Sequence, residues 1–84
     1  MGKYRHGISL LEPAVYRIMI QGILDKNWSD YCGGMIIKHD VMLQQYPVTI
    51  LTGSLIDQAS LIGVINSLYD LGCTLLSVEC IEAQ

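Results

Sequence analysis

The chain has 84 residues, a length that gives one compact domain with a single hydrophobic core. Apolar residues make up 51% and charged residues 15%, which excludes intrinsic disorder, because disorder needs low hydrophobicity and high charge. The net charge of −3, with only five Lys and Arg residues, argues against nucleic-acid binding, which calls for a basic surface.

The sequence predicts a polar tail followed by one small domain. Residues 1–14 form the tail, which Pro13 ends, and residues 15–84 form the domain. Within the domain, alternation of period two indicates strands, and apolar spacing near 3.6 residues indicates helices. In chain order, the predicted elements are a strand at 16–24, a helical turn at 25–32, a strand at 35–39, a strand at 49–56, a helix at 58–71 and a strand at 73–82.

Local signals place the ends of the two helices. Asp57 is a typical N-cap residue for the long helix, and Gly72 stands where a helix commonly ends in a left-handed residue. The first helix is reduced to a single turn that Gly33 and Gly34 end. The apolar stripe expected to be buried on the long helix consists of Leu61, Val64, Ile65, Leu68 and Leu71.

This order of elements predicts an α+β fold. Strand, short helix, strand, strand, helix and strand are typical of a ferredoxin-like βαββαβ domain with a four-stranded antiparallel sheet. The first helix is degenerate, and the one long helix covers one face of the sheet. Right-handed crossovers are expected to place the first and third strands side by side and parallel.

Apolar residues are expected on the sheet face that the long helix does not cover. A face exposed to water normally carries polar side chains, so this pattern predicts a homodimer interface. Gly63, inside the long helix, suggests a close contact on the helix side as well. There are two other interpretations of the pattern. Either the two faces of a strand are assigned wrongly by one residue, or residues 8–15 fold over this face of the sheet and cover it. The predicted interface residues are Met19, Ile23, Ile36, Ile50, Leu75 and Ile81.

A ligand site is predicted where the first and third strands would end together. Asp25 and Trp28 follow the first strand, and Asp57 and Gln58 follow the third. On parallel strands these four residues would line one rim and form a groove for a small ligand or a partner. The alternative interpretation is that the two aspartates cap helices and that Trp28 seals the end of the core.

The remaining motifs give no indication of an enzyme. No nucleophile elbow, phosphate-binding loop, dinucleotide fingerprint or zinc spacing occurs, so we expect no catalytic residue, no cofactor and no metal. Three cysteines form no disulfide framework, and no signal peptide or transmembrane span is predicted, so we expect a cytoplasmic protein.

Two motifs occur together, Trp28-Ser29-Asp30 before Gly33-Gly34 and Asp57-Gln58-Ala59 before Gly63. Over residues 16–78 the chain resembles a group of small uncharacterised proteins from cyanobacteria and other bacteria that carry this pair of motifs and have no assigned activity. It is more distantly similar to ACT regulatory domains, which bind an amino acid near a dimer interface. That resemblance implies a ligand near Asp25, although the glycine of the ACT turn is missing here.

These observations support two hypotheses of function. The first is a non-enzymatic, dimerising protein-interaction or regulatory module, with a second copy or an unidentified protein as its partner. The second is an ACT-like sensor that binds a small ligand at the rim of Asp25, Trp28, Asp57 and Gln58.

Overall fold

Four strands and one α-helix make up most of the described chain. The structure is a computed structural model that describes residues 12–42 and 45–83, so residues 1–11 of the predicted tail lie outside it. Two 3₁₀ turns replace the predicted first helix. The elements are β1 (Ala14–Gln21), the first 3₁₀ turn (Lys26–Trp28), the second 3₁₀ turn (Asp30–Cys32), β2 (Ile36–Val41), β3 (Pro47–Leu55), α1 (Gln58–Asp70) and β4 (Thr74–Ala83).

The strands form one antiparallel sheet in the order β2-β3-β1-β4. With one helix on the sheet, the predicted α+β class is confirmed. The predicted parallel pairing of β1 and β3 is wrong, because Ala14 pairs with Leu55 and Gln21 pairs with Val48. The connection from β1 to β2 passes over β3, and the connection from β3 to β4 passes over β1. The strands that run in the same direction are therefore β1 with β2 and β3 with β4, and the adjacent central strands run in opposite directions.

The core lies between the sheet and α1. On β1 and β3, the residues that face the core include Ile18, Ile20, Leu51 and Leu55, which are all buried. They belong to one cluster that also contains Val64 of α1. Alternate residues on the same strands therefore point to the opposite side of the sheet, which we call the open face.

The ends of α1 match the sequence prediction. The Asp57 carboxylate accepts hydrogen bonds from the backbone N–H of Ser60 at 2.8 Å and from its hydroxyl at 2.9 Å. Gly72 adopts a left-handed φ of 81°, and the N–H of Cys73 donates to the Leu68 carbonyl at 3.0 Å. These bonds satisfy backbone groups that the helix itself leaves unpaired.

The buried side of α1 is narrower than predicted. Within the helix only Val64 and Leu68 are fully buried, while Leu61 packs partly against the core and Ile65 is half-buried. Apart from its chain neighbours and the nearby helix backbone, no described residue places an atom within 4 Å of the position that a Cβ atom on Gly63 would occupy. The close contact that Gly63 suggested is therefore absent from the described protomer.

A buried hydroxyl holds the turn that follows β1. Thr49 is fully buried, and its hydroxyl donates to the Gly22 carbonyl at 2.8 Å and accepts from the Leu24 N–H at 3.0 Å. His39 Nε2 donates to the Leu24 carbonyl at 2.6 Å, so this nitrogen carries a proton. Gly22 has a φ of 97° and turns the chain out of the sheet.

Replacing Asp57 with Ala is expected to lower the free energy of unfolding by about 1 kcal/mol, because the N–H of Ser60 loses its acceptor. Asp57→Asn keeps an acceptor oxygen and is expected to retain most of the stability. Urea unfolding measures both values, and equal losses in the two variants would contradict the capping role.

Replacing Gly63 with Ala is expected to raise the free energy of unfolding by about 0.5–1 kcal/mol, since Ala favours a helix and its methyl group has free space here. Thermal unfolding measures the effect. A loss of stability in the monomer would show that the Gly63 position is not open.

Candidate functional site

The structure does not assemble the predicted ligand rim. Because β1 and β3 are antiparallel, Asp25 follows β1 near the start of β3, and Asp57 follows the end of β3. Leu24 bonds to Thr49, and the six positions from Thr49 to Leu55 span about 20 Å. Asp25 accepts from the N–H of Asn27 at 2.8 Å, so each aspartate caps its own turn. Asp25 and Asp57 therefore occupy opposite ends of β3.

Trp28 does not seal the core. Its ring packs edge-on against Tyr31, with the ring centroids 5.5 Å apart and the planes at 63°. The two residues are 41% and 49% exposed. This pair forms a small aromatic ridge on the outside of the 3₁₀ turns, while Cys32 in the second turn supplies the buried contact.

The open face of the sheet is mixed rather than apolar. The register places Met19 opposite Ile50 at its centre, and both are half-buried. Beside Met19, Arg17 forms an ion pair with Glu79 of β4 at 2.8 Å. Beside Ile50, Lys38 lies at the opposing position on β2. Gln21, Asp40, Thr52, Ser54, Thr74, Ser77 and Glu82 are further polar residues that the register places on this face.

The six predicted interface residues lie in different places. Met19, Ile36 and Ile50 are on the open face. Ile23 lies in the turn after β1, so it does not belong to the sheet. Leu75 pairs with the core residue Ile20, and Ile81 is the extra residue at a register shift, so both belong to β4. The predicted residues therefore do not form one continuous surface.

The most apolar exposed surface lies on the edge strand β4. Leu75, Leu76, Val78 and Ile81 are exposed by 45%, 39%, 37% and 45%. Val78 pairs with Ile18, a fully buried residue, so its side chain is on the same side of the sheet as α1. Leu76 and Ile81 are the extra residues at the two register shifts against β1. β4 therefore has exposed apolar side chains on the side of the sheet where a helix would normally cover them.

A second apolar stripe on α1 borders this strand. Ile62 is 56% exposed and Tyr69 is 78% exposed, with Ile65 between them at helical spacing. Ile65 and Tyr69 directly follow the core residues Val64 and Leu68. In a right-handed crossover, residues at such positions lie on the side of the helix that is nearer to the next strand, which here is β4. The α1–β4 surface is defined here as Ile62, Tyr69, Leu75, Leu76, Val78 and Ile81.

The α1–β4 surface carries no charged side chain of its own. Asp70 is the sole charged residue within α1, and the register directs Glu79 and Glu82 of β4 to the open face. Such a surface favours an apolar partner over a charged ligand or a nucleic acid. The sequence analysis missed four residues of this surface: Ile62, Tyr69, Leu76 and Val78. The available signal was the spacing of Ile62, Ile65 and Tyr69 beside the core stripe.

Two of the three cysteines are poor nucleophiles. Burial raises the pKa of the Cys32 thiol above its ordinary value, and the neighbouring Cys73 raises it further. Burial also raises the pKa of Cys73. All three cysteines are free thiols, and Cys80, on β4, is the exposed one. Across residues 12–42 and 45–83, no three His, Cys, Asp or Glu residues are grouped to hold a metal ion.

The core holds one polar group without a partner among the described residues. The Tyr16 hydroxyl is buried and makes no hydrogen bond there. Tyr16 lies on the α1 side of the sheet, between Gly53 of β3 and Cys80 of β4. No acid or base is hydrogen-bonded to it, so this position offers no catalytic pair.

Comparison with protein families places the chain in a family. The sequence profile of the domain of unknown function DUF8691 matches residues 15–79. The chain belongs to this family. The DUF8691 segment runs from within β1 to within β4 and contains the first five residues of the α1–β4 surface, Ile62 to Val78. No curated protein and no solved structure matches the chain.

In the part of the chain that the structure describes, α1 is too short and no other helix is apolar and long enough to cross a bilayer.

In dilute folded protein, iodoacetamide is expected to alkylate Cys80 first and Cys32 at least about tenfold more slowly, because burial keeps the Cys32 thiol protonated and inaccessible. Peptide mapping by mass spectrometry gives the rates. The raised pKa values also predict a loss of stability as the pH rises above the ordinary thiol pKa, since the thiols then ionise in the unfolded chain but not in the folded one. Equal alkylation rates for Cys32 and Cys80 would contradict this assignment.

Proposed function

We propose that the protein is a non-enzymatic module that works by self-association, with the α1–β4 surface as the contact between two copies. The observation that carries this proposal is the exposure of four large apolar side chains on one edge strand. A homodimer agrees with the expectation from the sequence, but the proposed contact lies at the sheet edge instead of on the open face.

The size of the surface supports a stable contact. At these exposures, the six side chains present on the order of several hundred Å² of apolar area. One partner of a standard protein–protein interface contributes about 800 Å² in total. The apolar area of the α1–β4 surface is therefore of the same order as one partner's share of such an interface.

The open face supports a contact less well. Dehydrating the Arg17–Glu79 ion pair and Lys38 would cost free energy that the half-buried Met19 and Ile50 offset only in part. The α1–β4 surface has no such charged group to dehydrate.

The same proposal includes a reduced ferredoxin-like topology. Counted from the β4 edge, the strand order is β4-β1-β3-β2, and each half of the chain contains a strand–helix–strand unit. The 3₁₀ turns stand in the place of the first helix. We also propose that the protein acts in the bacterial cytoplasm, which its three free thiols support.

The ACT-like sensor stays a prediction. Its rim depended on parallel central strands, whereas β1 and β3 are antiparallel and both aspartates are engaged as caps. No contact among the described residues favours a ligand there.

A lysine at position 78 tests the proposal. Val78→Lys places a charge in the proposed contact and is expected to weaken self-association by at least about tenfold. Ile36→Lys is the matched control, because it adds the same charge at a site that is 64% exposed on the other sheet edge. Sedimentation velocity over a concentration series gives the dissociation constants.

The control is expected to associate as the unmodified protein does. Two results would contradict the proposal: a monomer at all concentrations for the unmodified chain, or equal weakening by the two lysines. Circular dichroism of both variants at low concentration establishes that each remains folded.

A further inference from the structure

We propose that two copies of the chain join by pairing their β4 strands edge to edge, antiparallel, across a two-fold axis at Val78. The result is one continuous sheet of eight strands with α1 of each copy on the same side. This inference rests on the proposed self-association and names its geometry.

The two edges of the sheet differ in their protection against such pairing. β2 has six residues and carries exposed Lys38, His39 and Asp40, which are typical of an edge that resists further strands. β4 has ten residues, and neither a lysine nor a proline occurs in it. Within the described sheet, the outer backbone groups of β4 face no other strand. An added strand would satisfy these donors and acceptors.

A two-fold axis perpendicular to the sheet suits the distribution of side chains on β4. Such an axis keeps each residue on the same side of the sheet in both copies. The apolar side chains next to α1 in one copy therefore meet the apolar side chains of the other. Glu79 and Glu82 remain on the open face, in contact with water. The pairing buries the α1–β4 surface without burying a carboxylate.

The register follows from the alternation and from charge. Two register shifts interrupt β4, and regular alternation remains between them at residues 77–80. Directly opposite residues must share a face, so the axis passes through a residue that lies opposite its own copy. Only Val78 and Glu79 have both neighbouring residues within this regular stretch, so the axis lies at one of them. An axis at Glu79 would set two carboxylates directly opposite each other, which is destabilising. An axis at Val78 sets Ser77 opposite the partner's Glu79.

Disulfide trapping tests this register. In a Cys80→Ser background, Val78→Cys would place two thiols opposite each other, with Cα atoms about 4.5–5.5 Å apart. That separation lies in the range that a disulfide bridges. Ile36→Cys in the same background is the control, because it lies on the exposed β2 edge. Oxidised glutathione is the oxidant, and non-reducing gels measure covalent dimer against time.

The expected result is that Val78→Cys forms covalent dimer faster than Ile36→Cys by on the order of tenfold or more, because pairing raises the effective concentration of the two thiols. The same samples are examined by sedimentation velocity under reducing conditions. A reversible dimer in which position 78 crosslinks no faster than position 36 would overturn β4 pairing and leave self-association standing. A monomer at every concentration would overturn both proposals.

Discussion

A single helix cannot cover a four-stranded sheet. Strands spaced about 4.8 Å apart place the outer strand axes roughly 14 Å from each other, whereas an α-helix with its side chains is about 10 Å wide. In this protein the usual second helix is reduced to two 3₁₀ turns. The position of α1 over the sheet therefore decides which strand stays uncovered, and the other features of the surface follow from that position.

The tightest packing of α1 lies on the side of the second 3₁₀ turn. Gly33, next to the second 3₁₀ turn, approaches α1 so closely that a Cβ atom there would lie 2.9 Å from Val64 Cγ2. The same Cβ would lie 3.1 Å from Leu55 Cδ2 in β3. The helix thus packs closely against the second 3₁₀ turn and the end of β3. Four apolar side chains of β4 and the outer stripe of α1 face solvent in the protomer. A second copy supplies the missing cover in the proposed dimer.

Local signals in the sequence predicted the elements well. Capping by Asp57 and the left-handed Gly72 depend on nearby residues, and both are confirmed. The ferredoxin-like assignment requires long-range pairing and remains a proposal beyond the confirmed α+β class. The direction of β3 relative to β1 was mispredicted. A crossover makes the two strands that it joins parallel, but it does not determine the direction of the strand that lies between them.

The candidate surface was harder to predict. Register shifts at Leu76 and Ile81 break the alternation of β4, so its faces cannot be assigned by period two alone. Ile65 and Tyr69 have helical spacing that suits either a core stripe or an interface stripe, and the position of α1 over the sheet decides between them. Only Leu75 and Ile81 of the predicted interface residues belong to the α1–β4 surface.

The central claim is that β4 is an uncovered edge that a second copy covers. Hydrogen–deuterium exchange of the unmodified protein at two concentrations, one below and one above the onset of association, tests it most directly. The account predicts that amides of β4 exchange more slowly at the higher concentration, while those of β2 exchange at the same rate. Exchange in β4 that is independent of concentration, or slowing confined to β2, would contradict it.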